Sequence, residues 1–128
     1  MLKVAILRLK GCVDELRKVK NPVNLRPETM GKSAMLGSME DTLEMSKSIK
    51  GVLPCIDFAH LHARPDDGTL NTVKEWSQIL EAYQASLGKE ALKHLHIHLS
   101  GIEYGPKGEK KHLALGGSDL KINFLFEV

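Results

Sequence analysis

The stretch Val52–Arg64, VLPCIDFAHLHAR, decides how this chain is read. Val52–Ile56 is a short apolar run of the kind that forms a buried strand, and it ends abruptly in Asp57, His60 and His62. Leu92–Gly101, LKHLHIHLSG, repeats the arrangement, with His94, His96 and His98 closing a second strand. Imidazole nitrogen and carboxylate oxygen are the donors of zinc and similar divalent ions. Strands that deliver such groups at their C-terminal ends therefore predict a metal site at the top of a parallel sheet.

Upstream, Val4, Leu7, Cys12, Leu16 and Val19 lie among lysines and arginines, a spacing that predicts a helix over residues 2–19 with that face buried. Lys20-Asn21-Pro22 ends it. Val23–Leu25 predicts a short strand running toward Glu28, and Met30–Gly37 a loop. Ser38, followed by Glu40 and Asp41, predicts the N-cap of a helix that carries Leu43, Met45 and Ile49 to Gly51. Downstream, Val73, Trp76, Ile79, Leu80, Tyr83 and Leu87 form the core stripe of a long helix from Thr69 to Leu87. Gly101–Lys111 reads as a polar loop, His112–Leu115 as a short strand, and Ser118-Asp119 as the N-cap of a last helix over Leu120–Val128. Strands alternating with helices predict right-handed βαβ units in one α/β domain spanning 1–128. In such sheets function gathers at the carboxyl ends of strands, where Glu28, Asp57, His60 and His98 fall.

Composition narrows the classes. The chain has 128 residues, 42% apolar and 27% charged, which excludes disorder and suffices for one domain with a core. A net charge of +2 is too small to argue nucleic-acid binding from charge alone. No apolar run approaches the roughly 20 residues of a membrane span, and the N-terminus lacks signal-peptide features. These points predict a cytoplasmic protein with no membrane partner, in which Cys12 and Cys55 are reduced and buried. No GxSxG, P-loop or dinucleotide fingerprint occurs, so a nucleophilic triad is unsupported.

Strict strand alternation would send Asp57 and His60 to opposite faces. They converge only if the chain turns out of the strand between them; otherwise they are an N-cap Asp and a surface His. His94, His96 and His98 share one face, and His98, nearest the strand end, is the candidate ligand. His94 and His96 then serve packing or support, and His62 lies in a loop beside the site. Glu28 is a surface acid unless it shares the rim with Asp57 and His98. His112 is a solvated loop residue unless the loop folds back. Lys107–Lys111 is either solvated or a phosphate contact.

LRPETMGK (25–32), LPCIDFAHLHAR (53–64) and LHIHLSGIEYGPKGEKKHL (95–113) resemble the endonuclease IV-like branch (AP endonuclease family 2) of the xylose isomerase-like TIM barrels, in particular its archaeal-type members. The resemblance covers about residues 23–121. It implies an α/β fold that is a partial (β/α)8 TIM barrel, about half of one, because a full barrel takes about 250 residues. It implies a zinc-dependent endonuclease of DNA repair, with manganese as another usable ion, acting on DNA with abasic sites. In the family a zinc cluster activates water to attack the phosphodiester 5′ to the lesion. Glu28 resembles the family's bridging glutamate, both metal ligand and catalytic group. Asp57 and His60 match its Asp-x-x-His pair, and His98 its strand-end His, although Leu99-Ser100-Gly101 follows here. His112 matches the His of an Asp-x-His motif in which Lys110 stands at the aspartate position and Glu109 is the available substitute. The family's two N-terminal His ligands and its last Glu fall outside residues 1–128. This implies a truncated or split enzyme of doubtful activity alone, paired as a homodimer or with a complementary half-barrel. Two other functions use the same residues or none: a divalent-metal sugar isomerase or epimerase of the superfamily, and a non-catalytic oligomerising fragment.

Overall fold

Pro22, Pro27 and Pro54 have no backbone N–H to give a sheet ladder, and strand pairing in this chain is correspondingly short. A computed structural model describes all residues, 1–128. Helix α1 (Leu2–Lys18) and helix α2 (Met39–Ser48) precede strand β1 (Cys55–Asp57), which runs directly into helix α3 (Phe58–Ala63). Helix α4 (Val73–Leu87) and a 3-10 turn (Lys89–His94) lead to strand β2 (His96–His98). Strands β3 (Gly101–Gly105) and β4 (Gly108–Leu113) follow, and a 3-10 helix (Ile122–Glu127) ends the chain.

The sheets are small and separate. β1 and β2 pair in parallel, with Cys55 opposite His96, Ile56 opposite Ile97 and Asp57 opposite His98. β3 and β4 form an antiparallel hairpin with a bulge at Glu103/Tyr104. Leu25 and Glu28 add only isolated parallel bridges, to Val52 and Cys55.

This topology overturns the half-barrel expectation. A barrel unit places a crossover helix after each parallel strand, yet β2 is followed after only Leu99 and Ser100 by the hairpin. The expected strand at 23–25 is reduced to bridges between prolines, and the one at 52–56 starts only after Pro54. Leu92–His94 is 3-10 rather than strand, and the expected loop 101–111 is mostly β-hairpin. The last segment is a 3-10 helix without a side-chain N-cap, because Asp119 is engaged elsewhere. The fold is a mixed α/β arrangement of two two-stranded sheets and helices.

The main core gathers Met39, Leu43, Ile56, Phe58, Leu61, Trp76, Tyr83 and Ile102. Phe58 meets Trp76 edge-on at 4.8 Å between ring centroids, a favoured aromatic geometry. The α4 stripe is thus placed as its periodicity predicts. Helix α1 is not. Val13, with Leu2, Ile6 and Leu9, packs on Met45, Ile49 and Val52, while Val4, Leu7 and Val19 are exposed. Residues 2, 6, 9 and 13 form a competing apolar stripe, and that one won. Cys12 is consequently exposed rather than buried; Cys55 is buried. No helix is long and apolar enough to cross a membrane.

Helix α2 starts as expected. Asp41 N–H donates to Ser38 Oγ at 3.1 Å, and Asp41 Oδ2 accepts from Ser38 N–H at 3.1 Å and from Gly37 N–H at 2.9 Å, a reciprocal capping box. Partial burial works to raise the Asp41 carboxyl, but these backbone donors outweigh it and hold the group below its ordinary range. A depressed acid contributes stability above its unfolded value and loses it as pH falls through the folded value. Asp41→Asn should therefore cost about 1 kcal/mol at neutral pH. In denaturant titrations the gap to the parent should close as pH falls through the depressed Asp41 value.

Candidate metal centre

The turn from β1 into α3 solves the alternation problem. Asp57 caps α3, and its Oδ1 accepts from the His60 N–H at 2.9 Å. One residue of strand and three of helix bring both side chains to one end of the parallel pair, where His60 Nδ1 lies 3.8 Å from Asp57 Oδ2. Thr29 fixes the approach of the preceding segment. Its hydroxyl accepts from Asp57 N–H at 2.9 Å, and its carbonyl lies 2.7 Å from His60 Nδ1. This sets Glu28 beside the pair, with Oε1 3.6 Å from His60 Nδ1 and 3.0 Å from His98 Nδ1. The sheet register supplies His98 opposite Asp57.

The hairpin closes the other side. His112, on β4 rather than in a loop, places Nε2 3.0 Å from His60 Nε2, and its Nδ1 is held by Ser100 Oγ at 2.7 Å. Glu109 Oε2 lies 2.8 Å from His60 Nε2. The tip can come this close because Gly31 and Gly108 carry no side chains. A Cβ on Gly31 would strike the Glu109 carboxylate, and one on Gly108 the Gly31 carbonyl. Glu109 N–H donates to that same carbonyl at 3.0 Å. Arg64 braces the loop from the other side through the Met30, Lys32 and Met35 carbonyls at 2.8–2.9 Å. All five predicted residues, Glu28, Asp57, His60, His98 and His112, thus meet in one region. Two sets of three donors each lie within 4.8 Å of one another: Asp57, His60 and His112, and Glu28, Asp57 and His98.

The chemistry of this set favours a cation. The Thr29 carbonyl can only accept, so the hydrogen of a neutral His60 sits on Nδ1, and Nε2 presents a lone pair. Such a carbonyl contact is the usual support of a metal-binding imidazole. With His60 in that neutral form, buried Glu109 Oε2 faces the lone pair at 2.8 Å and has no hydrogen-bond donor; a proton on Nε2 or a cation between the two would satisfy both. An unsatisfied buried carboxylate oxygen costs more than the roughly 1–3 kcal/mol of a neutral group. A tetrahedral ion with donors about 2.0–2.1 Å away would hold them about 3.3 Å apart. The observed 2.8 and 3.0 Å are a slightly contracted version of that spacing. Asp57, 2% exposed, has its carboxyl raised by burial, against which the His60 N–H and imidazole pull down. Cys55, in the adjacent row of the sheet, has its thiol pushed up to about 11 by burial and by the negative Glu28 and Asp57.

Several residues depart from expectation. Glu109, the substitute the sequence offered for the aspartate missing at Lys110, lies beside His60, whereas Lys110 faces Glu103 at 4.0 Å. His62 is not in a loop but fully buried in α3, with Nδ1 2.7 Å from the Thr69 carbonyl and Nε2 3.1 Å from Asp119 Oδ1. Tyr104 donates to Asp119 Oδ2 at 2.6 Å, and burial together with that carboxylate pushes the phenol up to about 12. Partial burial would raise Asp119, but the Tyr104 and His62 hydrogen bonds prevail and lower it. This latch ties α3, the hairpin and the C-terminal segment together behind the centre. Thr29, Ser100, Asp119 and Tyr104 were not legible as supports, since each acts through a partner distant in sequence.

No protein-family model matches the chain, and no solved structure matches it. The chain is similar to an uncharacterized protein of Methanocaldococcus jannaschii, 46% identical over 111 residues that make up 87% of this chain and 40% of the relative. The chain therefore spans about 40% of the length of that curated relative.

If Glu109 completes the ligand set, Glu109→Gln should weaken divalent-ion binding by more than about tenfold in chelator competition. Lys110→Gln should leave it near the parent value.

Proposed function

We propose that the centre binds divalent ions, zinc foremost and manganese as a substitute, and serves metal-dependent hydrolysis of phosphodiesters at abasic sites in DNA, as in the endonuclease IV-like proteins that the sequence resembles. The observation that carries the reading is the pair of donor sets that share Asp57, with the buried Glu109 Oε2 2.8 Å from His60 Nε2 beside them. Two ions a few ångströms apart are the usual apparatus of phosphodiester cleavage. When bound, such ions supply Lewis acidity toward a phosphoryl oxygen and an activated water near neutral pH.

The chain's own groups have separate tasks in this reading. Asp57, His60, His98, His112 and Glu109 hold the ions. Glu28, whose side chain is 39% exposed, belongs to the set with Asp57 and His98 and is the proposed catalytic carboxylate. A groove of about 490 Å³ beside Glu109 is lined by Lys32, Lys107 and Lys110. Those ammonium groups suit the flanking phosphates of a nucleic-acid backbone, at the salt-dependent affinity such contacts give.

Protein purified without chelator should carry at least one zinc or manganese per chain by elemental analysis. It should nick a duplex containing an abasic site, with activity lost to chelator and restored by zinc. Glu28→Gln and His112→Ala should each lower that rate by at least about 10- to 100-fold. Absence of any bound divalent ion would overturn the metal reading. Bound metal with turnover of ketoses and none of DNA would reassign the reaction.

A further inference from the structure

We propose that Cys55, His96 and His98 form a second cation site, distinct from the His60–His112–Glu109 group, that takes a thiophilic divalent ion such as zinc or cadmium. The inference does not depend on the phosphodiesterase reading. It rests on the register of the parallel pair. Residues directly opposite on neighbouring strands project to the same face, so Cys55 stands beside His96 and Asp57 beside His98. A residue two further along a strand returns to that face, which puts His96 and His98 together as well. Their rings meet edge to face at 5.2 Å between centroids. The Cys55 sulfur and one nitrogen from each ring all lie within 4.8 Å of one another.

The donor chemistry separates this site from its neighbour. A sulfur ligand selects zinc, cadmium and similar ions over magnesium, calcium or manganese. One Cys and two His are three donors, the number in zinc sites that keep an open fourth position. Cys55 is a free, buried cysteine, shielded from oxidants and disulfide partners, whereas His96 and His98 are exposed. The thiol proton leaves to solvent as the ion binds, and Glu28 and Asp57 close by favour the added positive charge.

His98 links the two sites. Its Nδ1 faces Glu28 Oε1 at 3.0 Å, and the same ring completes the sulfur set. One imidazole serves both only by presenting a different nitrogen to each, so filling the sulfur site alters the affinity of the Glu28–Asp57–His98 set. A thiophilic ion at Cys55 would thus act on the carboxylate centre through a shared ligand.

The test uses Cys12→Ser protein throughout, because exposed Cys12 would otherwise contribute a second thiolate. Cobalt titration should give a thiolate-to-cobalt charge-transfer band. Cys55→Ala should abolish the band. His96→Ala, at an exposed position that should not disturb folding, should weaken the binding that produces it by at least about tenfold. His112→Ala should keep the band while losing the neighbouring site. No thiolate band at saturating cobalt in the Cys12→Ser protein would overturn the proposal, as would a band unchanged in His96→Ala.

Discussion

The register of β1 against β2 is the constraint on which the rest of the structure depends. The strands are only three residues long, yet their pairing sets Cys55 beside His96 and Asp57 beside His98. A slip of one residue would turn each of these side chains to the other face and scatter the donors. Buried Ile56, 0% exposed, resists that slip from the opposite face, because exposing it would cost about 1.5–3 kcal/mol.

Two further devices complete the centre on that platform. The abrupt start of α3 at Asp57 moves His60 onto the rim. The hairpin, bent by its bulge and seated against Gly31, brings in Glu109 and His112, more than forty residues beyond His60 in sequence. Long-range closure of this kind needs rigid supports, and the chain provides them as hydrogen bonds from Thr29, Arg64, Ser100 and the His62–Asp119–Tyr104 latch. Their removal would loosen the geometry without deleting a ligand.

The electrostatics follow from placement. Glu28, Asp57 and Glu109 share a partly buried region in which each carboxylate lies within 4 Å of the His60 imidazole, a group that can be neutral. Burial raises Asp57 and Cys55 because the charged forms lose water and meet like charge. A divalent ion reverses both terms at once, which is why the same residues that strain one another without it form a coherent set with it.

How much of this was legible before folding differs residue by residue. The sequence by itself determined the α4 stripe, the α2 cap and the acidic and imidazole residues at the strand ends, while the candidate donor list Glu28, Asp57, His60, His98 and His112 leaned also on the family resemblance. The first three are matters of local periodicity, short-range hydrogen bonding and residue type. It misplaced the buried face of α1, where two apolar stripes compete, and it suggested repeated βα units where prolines and a two-residue link allow only two small sheets. Only the tertiary structure decided that Glu109 rather than Lys110 faces His60, that His62 is a buried latch, and that Cys55 joins His96 and His98. Those outcomes depend on register, on a bulge and on glycine contacts between distant segments, and a bond between distant segments leaves no periodic mark in either one.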